Sequence, residues 1–230
     1  MKAYKEFNFK TFMKRIIVGV ISLLTLSLSF LACSSTSNIY LDQEYRKGSL
    51  NNDFVVLPLK SSWVPDATTS NIGGQEEEYF YSSLQPSFSL NTPNKVEIIN
   101  SDSELESPTF KRTTLKNEKV SIRVNLPPDE LLNSFEEQYV YFFESYGFKV
   151  NEAQSGGTSY AGHEEITVSY SLYFETEFFL LDKKTRKVIS WGKIADKTSI
   201  ENKKPIYNDY VNLISKVSNR ILKEGPFTTR

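Results

Sequence analysis

From Glu165 to Leu181 the chain alternates. Ile166, Val168, Tyr170, Leu172, Phe174, Phe178 and Leu180 are apolar, and Thr176 is the one gap on that parity. A period of two held this long predicts a long strand with one face on a core. "DKKTR" (182–186) supplies turn residues, and "KVISWGKIA" (187–195) returns as a partner strand, so the pair predicts a hairpin. The segment 127–147 carries Leu131, Phe135, Tyr139, Phe142 and Tyr146 at steps of four and three. That spacing predicts an amphipathic helix, with Pro128, Asp129 and Glu130 suited to its start and Gly147 to its stop. A second helical stripe runs through Tyr207, Tyr210, Val211, Ile214, Val217 and Ile221, and Gly225-Pro226 ends it.

The remaining segments are shorter. Phe54–Leu59 is a continuous apolar run and predicts a buried strand. Residues 60–75 have loop composition. Residues 76–85 predict a short helix ended by Pro86, and 94–100 a short strand. Residues 101–108 suit one helical turn capped by Ser101 or Asp102. Val120, Ile122, Val124 and Leu126 alternate on a half-buried strand, and 148–153 predicts another strand. The resulting order is strand, short helix, strands, helix, strand, long hairpin, helix. It predicts an α/β (α+β) fold: a mixed sheet with a long C-terminal hairpin and helices mainly on one face. Residues 53–230 form one domain in this reading, with 60–118 as a candidate insertion.

The N-terminal pattern is of another kind. Residues 2–15 are basic, Ile16–Ala32 is largely apolar, and Cys33, the only cysteine, follows. A basic region, an apolar region and a small residue before the cut predict a signal peptide over 1–32. The rival readings are an uncleaved membrane anchor and a signal peptide cut near 32–34 without lipid. Phe30-Leu31-Ala32-Cys33 resembles a bacterial lipobox, with Ala32 and Cys33 matching and Phe30 and Leu31 departing from the commonest form. The resemblance implies cleavage before Cys33 and lipidation of its thiol. Acyl chains contribute about 0.8 kcal/mol per buried CH₂, so two or three hold a protein on a bilayer. Residues 33–52 are polar without a sustained period and read as a flexible tether, spanning about 25 Å as a coil.

Composition adds two constraints. Apolar residues make up 39% of the 230, and aromatics 13%, enough for a real core. The formal net charge is −1, and removing 1–32 leaves a more acidic body, which gives no broad reason to bind nucleic acid. Candidate chemistry is thin. His163 is the single histidine, in the Gly/Ser-rich loop sequence "QSGGTSYAGHEEI". "GTSYAG" is not the G-x-S-x-G elbow, and "HEE" lacks the second histidine of a zincin. No phosphate-binding or dinucleotide fingerprint is present. Glu76–Glu78, Glu136–Glu137 and Glu164–Glu165 read as solvated faces, and 111–119 as a small basic patch. The aromatics Tyr139, Tyr141, Phe142, Phe143 and Tyr146 read as core, while Val140 and Tyr141 together suggest a partner surface. No catalytic residue, metal or cofactor is expected.

"FVVLPL" soon after the lipobox, "SYGFKV" and "YFETEFFLLDKKTRKVISWGKI" resemble a group of bacterial envelope lipoproteins with an anticodon-binding-domain-like fold. The group includes the peptidoglycan-synthase-activator lipoproteins, the curli-secretion lipoprotein family and the N-terminal domain of the Tol-system propeller protein. Leu181, Asp182, Thr185 and Trp191 fit its hairpin, whereas Arg186 stands where the group usually has Gly. The physical role of Asp182 and Thr185 is turn-making. The resemblance implies a non-enzymatic accessory or scaffold, anchored in the bacterial envelope through Cys33, at the outer membrane facing the periplasm, and binding another envelope protein. A lipid or small-molecule carrier, an oligomeric secretion-pore subunit and a carboxylate hydrolase are the alternatives.

Overall fold

The structure is a computed structural model that describes residues 37–66, 75–106, 109–115, 118–158 and 164–230. In chain order the elements are β1 (Ser37–Leu41), β2 (Phe54–Leu57), α1 (Gln75–Asn91), β3 (Val96–Ile98), β4 (Thr109–Leu115), β5 (Glu118–Val124), the single turn α2 (Asp129–Leu132), β6 (Tyr139–Thr158), β7 (Glu164–Asp182), β8 (Lys187–Ile200) and α3 (Tyr207–Glu224). Six strands form a mixed sheet in the order β1-β8-β7-β6-β2-β3. Pairing is antiparallel from β1 to β6, and parallel from β6 through β2 to β3. β4 and β5 form a separate antiparallel pair. Among the described residues no helix is long and apolar enough to cross a membrane.

The two sheet faces are covered differently. On one, α1 and α3 pack Phe80, Leu84, Phe88, Tyr210, Leu213, Ile214 and Val217 against Phe54, Tyr141, Phe174 and Phe178. Small residues let the two helices touch: Ser218 Oγ donates to Ser87 O at 3.0 Å, and Asn91 Nδ2 donates to Ser215 O at 3.1 Å. On the other face, Ile122 and Val124 of β5 with Leu126, Leu132 and Phe135 cover Val55, Leu57, Val140, Phe142, Phe179 and Leu181. Helices on one face and a small hairpin on the other satisfy both amphipathic patterns. α1 lies inside the stretch set aside as a candidate insertion, yet it supplies Phe80, Leu84 and Phe88 to the main core.

Five expectations are corrected. The helix expected over 127–147 is one turn, and Tyr139 onward is β6. Both faces of β6 are buried here, so Tyr139, Tyr141 and Phe143 point to the helices while Val140 and Phe142 point away. A register shift between Phe143 and Ser145 then returns Tyr146, Phe148 and Val150 to the helix side. Continuous burial hides a period of two, and the shift creates helix-like spacing by accident. The same burial removes the partner surface suggested at Val140 and Tyr141, both 0% exposed.

Pro86 does not end α1, which continues to Asn91. Proline cannot donate to the Ser82 carbonyl four residues back. Tyr207 Oη donates to that carbonyl instead, at 3.2 Å. Residues 101–106 form no helical turn; Ser101 Oγ accepts from Ser103 N at 3.1 Å. The described part of the expected tether is folded. β1 pairs with β8 from Ser37↔Ile194 to Leu41↔Ser190, and Leu50 N donates to Pro226 O at 2.7 Å. β1 is the last strand of the sheet on this side, where only one side needs a partner.

Candidate functional site

β6 and β7 stay paired from Tyr139↔Asp182 to Thr158↔Glu164. Their other neighbours leave early. β2 ends opposite Phe142, and among the described residues the Trp63–Tyr146 bridge continues that edge, with Val64 N donating to Tyr146 O at 2.8 Å. β8 ends opposite Tyr170. Beyond these points 153–158 and 164–169 run on as a two-stranded ribbon, roughly 20 Å long. The local cause is composition: "NEAQSGGT" offers nothing for a core to hold, and residues 151–156 and 167–169 are exposed.

The edges of this ribbon are open. Tyr146 O accepts on the side away from β7, and backbone groups alternate along a strand. Val150, Glu152, Gln154, Gly156 and Thr158 therefore direct their N–H and C=O groups to that side. No strand among the described residues takes them, and none takes β7 from Glu164 to Ser169. An isolated two-stranded ribbon is marginal in water, and open edges recruit strands.

At the ribbon's root lies a cleft of about 330 Å³, lined by Val64–Asp66, Ser145, Gly147, Lys149, Tyr173 and Glu175. Gly147 shapes it. A Cβ there would lie 2.4 Å from Val64 O, so only glycine lets that backbone cross. Lys149 Nζ sits 4.3 Å from the Tyr173 ring centre, and Tyr173 Oη donates to Glu175 at 3.3 Å. Cation, ring and carboxylate thus satisfy one another. The space between the hairpin and the helices, where a carrier would need its cavity, is filled by Phe54, Phe80, Phe88, Tyr141, Phe174 and Phe178.

The hairpin motif proves structural. Asp182 is 2% exposed and accepts from Lys184 N at 3.0 Å, Thr185 Oγ1 at 2.9 Å and Gln138 Nε2 at 2.9 Å. Burial and the Asp182 carboxylate push the Tyr45 phenol up to about 12. Arg186 takes a left-handed φ of 55°, a region that glycine enters far more readily than a residue with a Cβ. Lys183 Nζ donates to Leu132 O and Phe135 O at 2.7 and 2.6 Å, which ties the loop after α2 to this turn.

The acidic clusters do not converge. Glu76–Glu78 open α1, while Glu136–Glu137 lie in the loop before β6, on the opposite side of the sheet. Glu164–Glu165 begin β7 at the ribbon. Of the basic patch, Lys111 and Arg112 fall on β4 and Lys119 on β5, while Lys116 lies outside the described residues. Tyr139, Tyr141, Phe142, Phe143 and Tyr146 are core, as expected. Cys33 and His163 lie outside the described residues. Sequence reasoning missed the open ribbon, because no residue type announces an absent neighbour strand. The one available signal was the polar run 151–158 opposite the apolar parity of β7.

No family profile matches the chain, and no curated protein matches it. Solved structures give weak likenesses. A PelC dodecamer from Paraburkholderia phytofirmans shares 12% identity at a TM-score of 0.38, over 83% of this chain and 98% of that one. A neuraminyllactose-binding hemagglutinin homologue from Helicobacter pylori shares 15% at 0.32, over 78% and 81%. Scores this low do not establish a shared fold.

Proposed function

We propose that this chain is a lipid-anchored accessory protein of the bacterial envelope, held by Cys33 at the outer membrane on the periplasmic side. It acts by binding another envelope protein rather than by catalysis. The observation that carries the binding role is the ribbon with its open edges. An extended segment from a partner adds there as a further strand, with main-chain hydrogen bonds giving affinity. The lipid at Cys33 follows from the lipobox resemblance. Cys33 is four positions before Ser37, a reach of at most roughly 14 Å, so acylation holds the β1 edge near the bilayer.

Two measurements test the parts separately. Intact mass after palmitate labelling, beside Cys33→Ala, reads the anchor: lipid mass on the wild type alone supports it, and an unmodified wild type overturns it. For the ribbon, Glu152 is joined to Tyr170 through an Asn-Gly turn, which suits a two-residue hairpin loop. The shortened chain should keep its melting temperature and lose the envelope protein that the full chain captures from membranes. Equal capture by both chains would remove the ribbon as the site.

A further inference from the structure

Charge is spread unevenly over this chain. From Lys193 to Glu224 it holds seven Lys and Arg against four Asp and Glu, although the whole chain has a net charge of −1. Part of that excess lies on one flank of α3. Lys216, Arg220 and Lys223 follow at steps of four and three, which puts them on one side of the helix. Arg220 Nη1 lies 3.2 Å from Asp196 Oδ2, so this flank sits beside β8, the neighbour of β1. The opposite flank is closed by α1, through Ser218 and Asn91. Both acids of α3 are engaged: the Asp209 carboxylate accepts from Ile206 N at 2.9 Å, and Glu224 pairs with Lys47. Lys216 and Lys223 are exposed and make no ion pair among the described residues. Loop 201–206 joins the end of β8 to the start of α3. Lys203 and Lys204 are exposed in it, Lys203 lying 4.0 Å from Glu152, and Ile206 is 62% exposed.

We infer that this flank of α3 and the loop before it lie on a bilayer with anionic headgroups. The inference rests on the reading of Cys33 as the lipid anchor and gives the anchored domain an orientation. Ser37, four positions after Cys33, pairs with Ile194, two residues from the Asp196 that meets Arg220. The acyl chains therefore enter the bilayer within reach of the basic flank, and one membrane surface receives both. Lysines near an anionic surface are attracted to it, and an exposed apolar side chain among them suits the headgroup boundary. β1 ends the sheet on this side, whereas the open edge of β6 faces the other way, toward β2. The contact lays the β1 side on the membrane and turns the ribbon's β6 edge out to a partner.

The test uses the protein extracted from membranes and reconstituted in vesicles of phosphatidylcholine, alone or with about one third phosphatidylglycerol. Amide hydrogen exchange is read by mass spectrometry. Peptides over 201–207 should exchange at least about fivefold more slowly on the anionic vesicles, and those of β4 and β5 alike on both. The difference should shrink in roughly 0.5 M salt. A variant with Lys203→Glu, Lys204→Glu, Lys216→Glu and Lys223→Glu should exchange alike on both vesicles. If that variant fails to fold, the salt dependence of the wild type carries the test. Equal wild-type exchange on the two vesicles, or protection that the reversals or salt leave unchanged, overturns the contact. Intact mass of the same preparation reads the anchor separately. An acylated chain without anionic protection overturns only the flank, and a protected chain without lipid overturns only the anchor.

Discussion

The root and the tip of the β6–β7 hairpin share one alternation pattern and differ in almost everything else. Along β7, Leu172, Phe174, Phe178 and Leu180 are at most 1% exposed, while Val168, on the same parity, is 41% exposed. The apolar period of two specifies which face a side chain occupies. Whether that face is covered depends on other elements: α1 and α3 reach the root and stop short of the tip. Phe178→Ala should therefore cost about 3–5 kcal/mol. Val168→Ala should stay within about 0.5 kcal/mol. Urea unfolding of both variants reads the contrast directly. A large loss from Val168→Ala would mean that something covers the tip.

Between root and tip stands Gly147. Its place in the ladder opposite Glu175 and beneath Val64 O leaves no room for a methyl group. Gly147→Ala should cost about 1–3 kcal/mol as the crossing backbone is pushed away. The loss should come with faster hydrogen exchange at Val64 N, whose acceptor is Tyr146 O. Unchanged exchange would place the strain elsewhere. This is the point where the sheet loses its β2-side neighbour, so the variant also reads how far the root's rigidity extends.

Legibility in the sequence follows the same division. The hairpin turn was readable from its turn residues, α3 from its single apolar stripe, and β7 because over 167–177 one face stays exposed or half-exposed while the other is apolar except at Thr176. β6 was not, because Val140 and Phe142 are buried on one face while Tyr139, Tyr141 and Phe143 are buried on the other. β1 was not, because an edge strand needs little apolar surface and takes its order from β8. α1 was half readable; its continuation past Pro86 depends on Tyr207, 121 residues away in sequence, taking the Ser82 carbonyl. For the site, sequence supplied charges and polarity but not open edges, since an edge is a property of what fails to arrive beside it.

At the other end of β7 the chain closes tightly, and a smaller effect is expected there. Arg186 holds a φ of 55°, a region that costs a residue with a Cβ about 1–2 kcal/mol. Its guanidinium pairs with Asp129 at the surface, a contact of little net worth when exposed. Arg186→Gly should raise stability by about 0.5–1 kcal/mol in urea unfolding, after the entropy that glycine adds to the unfolded chain. A loss instead would show that the Asp129 pair outweighs the strain. The closing turn would then depend on a tertiary contact, as the root does, rather than on local backbone geometry.

The smallest expected effect sits at the register shift inside the root. Glu144 is half-buried between Phe143 and Ser145, and Asn125 Nδ2 donates to its carboxylate. Burial, with the Glu177 carboxylate adding to it, holds Glu144 above its ordinary range, against the pull of the Asn125 hydrogen bond, Arg123 and Lys193. A raised carboxyl favours the folded state only while protonated. Its contribution is full below the unfolded value and is lost as pH rises through the folded one. At neutral pH the ionised group is therefore a cost. Glu144→Gln removes the charge and keeps an oxygen for Asn125. Its melting temperature should exceed that of the wild type at pH 7, and the gap should close as pH falls through the carboxylate range. A gap that stays constant from pH 7 to pH 4 would assign the gain to packing and remove the electrostatic account of this position.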